Sequence, residues 1–367
     1  MAGPIRQPID IPALERYLEK NTHIKAPLDI KQFGYGQSNP TYLLQCATGA
    51  QYVLRKKPPG TLLNPTAHAV EREYRVLAAL TPTSVPVPNA IILCEDVSII
   101  GTPFYIMDFV GGRIFSNPSI PGVSAEDRNK MWRSALETLA GLHKIDFKEV
   151  GLEKYGKPNG FYLRQIKTLS TISKAQGETK DVETGKEVGP IPNFAENMQY
   201  FSESLPYDRT TIIHGDYKID NLIFHPSEPH VIGILDWELS TLGHPLSDVC
   251  NLLSPYLFAA NPSASMSPDA EAFVEGKTPG LPTREEAVGI YQKAAGMEIE
   301  GLDWGLAFML CRNSVITQGI SARYARRQAS SENAGMYEQL TPRLAEYATA
   351  LVKVDKKRRF KAALWKL

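Results

Sequence analysis

Cysteine is scarce in this chain of 367 residues. Cys46, Cys94, Cys250 and Cys311 stand far apart and form no Cys-x-x-Cys pair, which argues against a disulfide framework or a thiolate metal cage and for reduced thiols inside a cell. An excess of one charge is also missing, since 40 basic residues balance 40 acidic ones. A polyanion-binding surface is therefore not the dominant feature, and no nucleic-acid partner is expected. Long apolar runs are absent. The best candidate, residues 90–110, is interrupted by Glu95, Asp96, Pro103 and Asp108, so no membrane span or membrane partner is expected. The opening MAGPIRQPID lacks the apolar core of a secretory signal. The closing Trp365-Lys366-Leu367 shares two residues with the peroxisomal Ser-Lys-Leu address, but a bulky Trp stands in the small position. A cytoplasmic setting is the expectation, with the peroxisome as a lesser alternative.

What is present is the ordinary material of a folded protein: 43% hydrophobic and 22% charged residues, with length enough for two domains. Residues 11–20 read as a short amphipathic helix. Short apolar runs bounded by Gly and Pro follow, predicting strands over 30–35, 41–46 and 51–56 as an antiparallel meander. Residues 66–80 carry Val70, Tyr74 and Leu77 at helical spacing. Two more strands, over 89–94 and 103–110, are joined by an acidic turn. Beyond Gly111-Gly112 the texture turns helical, with helices over 124–145, 158–176 and 193–204. The polar stretch 177–190 reads as a surface loop. Strand-like runs at 211–214 and 231–236 enclose the densest polar cluster, and the chain past 245 is helical with a Pro/Ser/Gly-rich break at 261–283. The fold class is α+β in two lobes. Residues 1–110 form a small antiparallel-sheet lobe with one helix, and 111–367 form a larger, mainly helical lobe. A cleft is expected at the Gly-Gly linker.

The polar cluster carries the chemistry. Residues 212–224 read IIHGDYKIDNLIF, placing Asp216 five positions before Asn221 between apolar runs. That is the offset of the kinase catalytic loop H-R-D-L-x-x-x-N. Phosphoryl transfer needs a carboxylate near the attacking hydroxyl and hard oxygen ligands for Mg²⁺. Asp216 is the candidate base and Asn221 a candidate metal ligand. Asp236, in ILDWE after the second run, takes the place of the Asp in the kinase D-F-G segment and is the second metal ligand. Taken singly, each piece also reads as an ordinary turn or strand-end cap. Their order and hairpin spacing favour the kinase reading.

The run IIHGDYKIDNLIFHPSEPHVIGILDWELSTLGHPLSDVCNLL resembles the aminoglycoside phosphotransferase-like kinases, a branch of the protein-kinase-like fold. YVLRKKPPG at 52–60, AHAVEREYRVLAAL at 67–80 and DWGLAFMLCRNSVITQGISAR at 303–323 are similar to its subfamily of kinase-like domains linked to acyl-CoA dehydrogenases. The likeness covers roughly residues 28–330. It implies a two-lobe protein-kinase-like fold, ATP with Mg²⁺, and a hydroxyacyl acceptor. One departure is Gly243-His244-Pro245, where relatives usually have Gly-Asp-Pro. Asp248, which in relatives braces the catalytic loop, is present.

On the nucleotide side, Gly34, Gly36, Ser38 and Asn39 join the first two strands, and glycines there let backbone approach phosphates. Arg55 in YVLR aligns with the Lys of V-A-I-K, and Glu73 on the next helix is its candidate partner. Arg for Lys departs from protein kinases but is usual in the resembled subfamily. Lys56 points to the opposite strand face and is expected in solvent. Met107, Asp108 and Val110 form the candidate adenine hinge.

The acceptor side is less marked. Residues 305–330 contain Arg312, Arg323, Arg326 and Arg327 and no acid. On a helix, Arg312 and Arg323 share nearly one face. That favours an anionic small-molecule acceptor, such as a hydroxy acid or its CoA thioester. Arginines paired with acids elsewhere are the competing explanation. Gln318 and Arg164 are further candidates for the same pocket. His214 is expected to buttress the catalytic loop, His143 to pack or cap, and the basic tail after 353 to be a solvated helix. The catalytic reading competes with a non-catalytic nucleotide-binding module and with an aminoglycoside- or choline-type kinase. The oligomeric state is open.

Overall fold

Strand alternation organises the first part of the structure, a computed structural model that describes residues 2–34, 39–58, 69–264, 269–328 and 334–364. Elements are numbered in chain order. The chain forms two compact units, the first made of Met1–Ser116, Ile145–Tyr155 and His214–Thr241. Its six-stranded antiparallel sheet has the order β1-β2-β3-β4-β6-β5. The strands are β1 (Ala2–Gly3), β2 (Leu28–Phe33), β3 (Thr41–Cys46), β4 (Gln51–Lys56), β5 (Ala90–Cys94) and β6 (Phe104–Asp108). The expected meander is there, with β3 and β4 at the predicted bounds. The hairpin register sets Arg55 opposite Thr41 on one side and Tyr105 on the other.

One sheet face, carrying Tyr42, Leu44, Tyr52, Leu54 and Ile106, packs with Leu14 and Leu18 of α1 (Ile11–Asn21). Asp10 starts that helix by accepting from Ala13 N–H. Lys56 belongs to this face by alternation, and here the solvent-exposed expectation is corrected. Lys56 is only 4% exposed, with Nζ 3.4 Å from the Pro8 carbonyl. The face opposite Arg55 is not water but the core beneath α1 and the N-terminal segment, and burial lowers the Lys56 pKa. The second helix, α2 (Val70–Leu80), turns Val76, Leu77 and Leu80 inward. The acidic turn expected between β5 and β6 is instead one helical turn, α3 (Val97–Ile100), capped by Asp96 on Ser98 N–H and closed by left-handed Gly101. A short hairpin, β8 (Leu222–Phe224) with β9 (Val231–Ile234), completes this unit.

The second unit comprises Asn117–Lys144, Gly156–Ile213 and Leu242–Leu367. Its helices are α4 (Ala125–Lys144), α5 (Phe161–Gly177), α6 (Phe194–Glu203), α7 (Leu246–Ala260), α8 (Arg284–Ala295), α9 (Leu302–Ala325) and α10 (Tyr337–Leu364). Short strands β7 (Thr211–Ile213) and β10 (Thr241–Gly243) adjoin the unit boundary. α9 is apolar nearly all round because it runs through the core, burying Trp304, Leu306, Phe308, Leu310 and Val315. Trp304 stacks on Phe308 with ring centroids 5.3 Å apart, and the Tyr162 edge meets Trp304 at 4.6 Å. The polar 177–190 stretch is tied down, with Asp181 accepting from Glu183 and Thr184 N–H.

His244, the departure from Gly-Asp-Pro, is bonded through both ring nitrogens just before α7. Its Nδ1 accepts from Leu246 N–H at 3.1 Å, while Nε2 donates to the Tyr207 carbonyl at 3.0 Å. Both nitrogens are therefore committed to the neutral ring, and burial lowers its pKa from the ordinary 6.5. The sign follows from the lowered value: stability is whole above 6.5 and is lost as pH falls through the depressed folded pKa. Acidification from neutrality should lower the melting temperature, and His244→Asn, whose side-chain oxygen can still accept from Leu246, should show a smaller drop. Thermal unfolding of both proteins as a function of pH checks this.

Candidate active site

Arg55 sits where period-two alternation puts it, on the face of β4 that meets α2. Its Nη1 lies 3.2 Å from Glu73 Oε2, the partner expected from sequence. Glu73 is 1% exposed and is held by two more donors, Asn39 Nδ2 at 2.9 Å and the Tyr105 hydroxyl at 3.1 Å. Burial pushes its pKa up to about 7 against the opposing pull of Arg55, with the charges of Asp236 and Glu238 adding to the rise. The Asn39 side chain, expected on the nucleotide side, is turned to Glu73. It is 0% exposed and braces the carboxylate.

On its other side the same guanidinium reaches the segment after β9. Arg55 Nη2 is 2.9 Å from Asp236 Oδ1 and 3.5 Å from Glu238 Oε2. Asp236 has φ 66°, a left-handed conformation that costs a non-glycine residue about 1–3 kcal/mol and here opens the 3-10 turn Trp237–Leu239. That turn brings residues 236 and 238 to one cation.

The β8–β9 hairpin joins this segment to the catalytic loop. Leu222 pairs with Ile234, so Leu235 N–H donates to the Asn221 carbonyl at 2.8 Å. The Leu235 carbonyl lies 2.8 Å from His214 Nε2, and the fully buried His214 ring rests 4.8 Å from the Trp237 ring. His214 is the buttress expected of it. Asn221 Nδ2 donates to the Asp216 carbonyl at 2.9 Å and to Asp216 Oδ2 at 3.2 Å. Lys218 Nζ stands 3.3 Å from Asp216 and 3.4 Å from Asp220. Burial raises the Asp216 pKa, and Lys218 opposes the rise. Asp216, Asn221, Asp236, Arg55 and Glu73 are thus linked through one set of bonds within the first unit.

The donor set fits a small divalent cation. Three carboxylates outnumber the one guanidinium they surround, and Asn221 commits its amide nitrogen to Asp216, which leaves oxygen as its ligand type. One carboxylate with one amide oxygen is the hard, sparse set that suits Mg²⁺ when phosphates supply the remainder. Among the described residues no cluster of three or more His, Cys, Asp or Glu suits a metal held by protein alone.

The remaining nucleotide candidates are mixed. Gly34 ends β2 in open space, while Gly36 and Ser38 lie outside the described residues. Met107 is buried opposite Val53. Asp108 N–H is given to the Asn89 carbonyl at 3.0 Å and so is not open to adenine. Gly112 passes so close to the hairpin that a Cβ there would lie 2.4 Å from the Phe224 carbonyl oxygen.

The acceptor candidates do not gather into one basic site. Arg164 binds the Asn159 and Lys157 carbonyls of its own loop. Gln318 is 1% exposed and bound by Ser173 and Gly189; it lines a cavity of about 390 Å³ with Ser321, Tyr324 and Thr341. Arg312 holds Asn251 Oδ1 at 2.7 Å, and its buried Nε has no partner. Arg323 is exposed. Arg327 is consumed by Asp181 and Glu183 at 2.8 and 2.6 Å, so the competing explanation holds for it.

Tyr105, Lys218 and Glu238 escaped the sequence reading. Glu238 stood in the quoted ILDWE run, but only the turn after Asp236 reveals that it faces Arg55. Lys218 follows Asp216 by two residues, a spacing that was available and unused. Nothing local marks Tyr105, whose partner is 32 residues away.

Gly215 sets the loop's shape. Its φ is 88°, and a Cβ there would lie 2.5 Å from the Leu239 carbonyl oxygen. Gly215→Ala should lose at least about 2 kcal/mol of stability, read by chemical denaturation, whereas Gly34→Ala, in open space, should be near neutral.

The comparisons with known proteins agree with this geometry. The model of the phosphotransferase enzyme family matches residues 29–286. Acyl-CoA dehydrogenase family member 10 of Mus musculus is 40% identical over 94% of this chain but 31% of its own length. Family member 11 of Rattus norvegicus is 38% identical over 92% of the chain and 42% of its own. The chain thus spans less than half the length of these curated relatives. A crystal structure from Ralstonia eutropha, provisionally described as an aminoglycoside phosphotransferase, is 35% identical with a TM-score of 0.80, covering 94% of this chain and 99% of that one. An aminoglycoside phosphotransferase in ternary complex with AMP-PNP and hygromycin B shares the fold at 11% identity, TM-score 0.57, covering 91% and 98%. The chain belongs to the phosphotransferase enzyme family and has that family's protein-kinase-like fold.

Proposed function

We propose that the protein is an ATP-dependent small-molecule kinase that transfers the γ-phosphate of Mg-ATP to a hydroxyl of an anionic metabolite, a hydroxy acid or hydroxyacyl thioester. The reading is supported most by the bonded chain from Asp216 through Asn221 and Leu235 to Asp236 and Arg55, which ties a base, two oxygen ligands and a phosphate-seeking cation together. A purely nucleotide-holding module has no chemical need for Asp216. The ATP assignment is supported by the fold neighbour complexed with AMP-PNP, and the acyl substrate class by the names of the longer relatives.

In the proposed reaction Asp216 orients the acceptor hydroxyl and takes its proton as the oxygen attacks. The new bond joins acceptor oxygen to the γ-phosphorus, the bond to the β,γ-bridging oxygen breaks, and ADP leaves with that electron pair. Lys218, 3.3 Å away, favours the ionised form of Asp216 and opposes the burial that raises its pKa. Asn221 and Asp236 would hold Mg²⁺, which when bound neutralises charge on the transferring phosphate. Arg55, steadied by Glu73, would clamp the nucleotide's phosphates, with Met107, Asp108 and Val110 beside adenine. Gly34, which follows β2, would approach the phosphates. The proposed lobes, 1–110 and 111–367, would contribute the nucleotide and acceptor halves. Arg312 and Arg323 are the candidate anion contacts, Arg312 on the strength of its unpartnered buried Nε. A cytoplasmic setting accords with four free, buried cysteines. Among the described residues no helix is long and apolar enough to cross a membrane.

The test is a screen of hydroxy acids and their CoA thioesters for ADP release, with mass detection of phosphorylated product. Asp216→Asn and Asp236→Ala should each lower kcat by about a hundredfold or more; unchanged turnover in both would defeat the assignment. Arg323→Gln and Arg312→Gln should raise the KM of an anionic acceptor about tenfold while leaving the ATP KM alone. Preference for a polycationic acceptor would instead favour the aminoglycoside-type reading.

A further inference from the structure

The proposed reaction asks two things of one guanidinium nitrogen. Arg55 Nη2 lies 2.9 Å from Asp236 Oδ1, yet the reaction assigns Asp236 to the divalent cation and Arg55 to phosphate. Were Asp236 to give its carboxylate to that cation, Arg55 Nη2 would lose its 2.9 Å partner, with Glu73 left on Nη1, at a site where the side chain is only 11% exposed. A buried charge that loses its partner is strongly destabilised unless another takes over. Glu238 is at hand, its Oε2 3.5 Å from the same nitrogen.

Resting on the kinase reading, we propose that Glu238 is a positioning residue that keeps Arg55 aimed at the nucleotide phosphates once Asp236 is committed to the metal. Three observations meet here. The left-handed Asp236 and the 3-10 turn after it bring the carboxylates of residues 236 and 238 to a single cation. The planar guanidinium has donors pointing in more than one direction, so one glutamate that suffices for a compact ammonium does not fix its plane. Glu73 holds Nη1 and Glu238 approaches Nη2, which sets the plane from both ends. Finally, two departures from the protein-kinase pattern coincide: Arg replaces the strand Lys, and Glu replaces the Gly of D-F-G. They lie 183 residues apart in sequence and meet in space. The two substitutions form a coupled pair, in which the longer, forked cation requires the second carboxylate.

A double-mutant cycle tests this with Arg55→Lys, Glu238→Gln and the combination. The readouts are calorimetric ATP binding with and without Mg²⁺, the KM and kcat for ATP, and thermal unfolding without nucleotide. Glu238→Gln should weaken Mg-ATP binding and raise the ATP KM about tenfold in the Arg55 protein, with a smaller fall in kcat. In the Arg55→Lys background the same change should cost less than about twofold, since the fork it steadies is gone. Glu238→Asp, which keeps the charge, should fall between. Equal losses in both backgrounds would overturn the coupling. So would a change confined to the Mg²⁺ requirement, which would make Glu238 a servant of the metal. Failure of the wild-type protein to bind Mg-ATP would instead strike at the kinase reading itself.

Discussion

A single buried cation surrounded by three carboxylates is the interaction on which the site's organisation depends. Arg55 on β4, Glu73 on α2, and Asp236 and Glu238 after β9 come from three separated stretches, and their charges tie the sheet, its helix and the hairpin together. The carboxylates outnumber the cation, so negative charge is in excess. That excess makes poor sense as stabilisation, because a buried ion network with excess charge is costly, and good sense as a place where a divalent ion and a polyphosphate are to be received.

Around this centre the structure spends ordinary packing and hydrogen bonding on holding polar groups still. Asn39 and Tyr105 saturate Glu73, His214 fastens the catalytic loop to Leu235, and Asn221 braces Asp216 while leaving its own oxygen available. These are the supports that keep a reactive group within a few tenths of an ångström of its working position. Backbone strain is accepted at Asp236, and a side-chain-free position is kept at Gly215, where the turns would otherwise not close.

Much of the fold was legible because its signals are local. Period-two runs marked β3 and β4 to the residue, and the helical texture past 245 includes α9, which threads the core. Signals that need a partner were misjudged. Lys56 was placed in solvent because alternation tells which face a residue takes but not what covers that face. The bond from Asn39 to a carboxylate 34 residues away has no signal in its glycine-rich neighbourhood. The basic stretch of α9 looked like one cationic face, but Arg327 had already found Asp181 and Glu183.

By itself the sequence determined the order of elements, the identity of the polar groups and the offset from Asp216 to Asn221, because hydrophobic period, turn chemistry and short motif spacing are written within a few residues. Only the tertiary structure decided that Glu238 joins Asp236 on Arg55, that Lys56 is buried, and which arginines remain free. Those outcomes depend on which distant segments come within about 4 Å, and Coulomb attraction and desolvation act through space without regard to position along the chain.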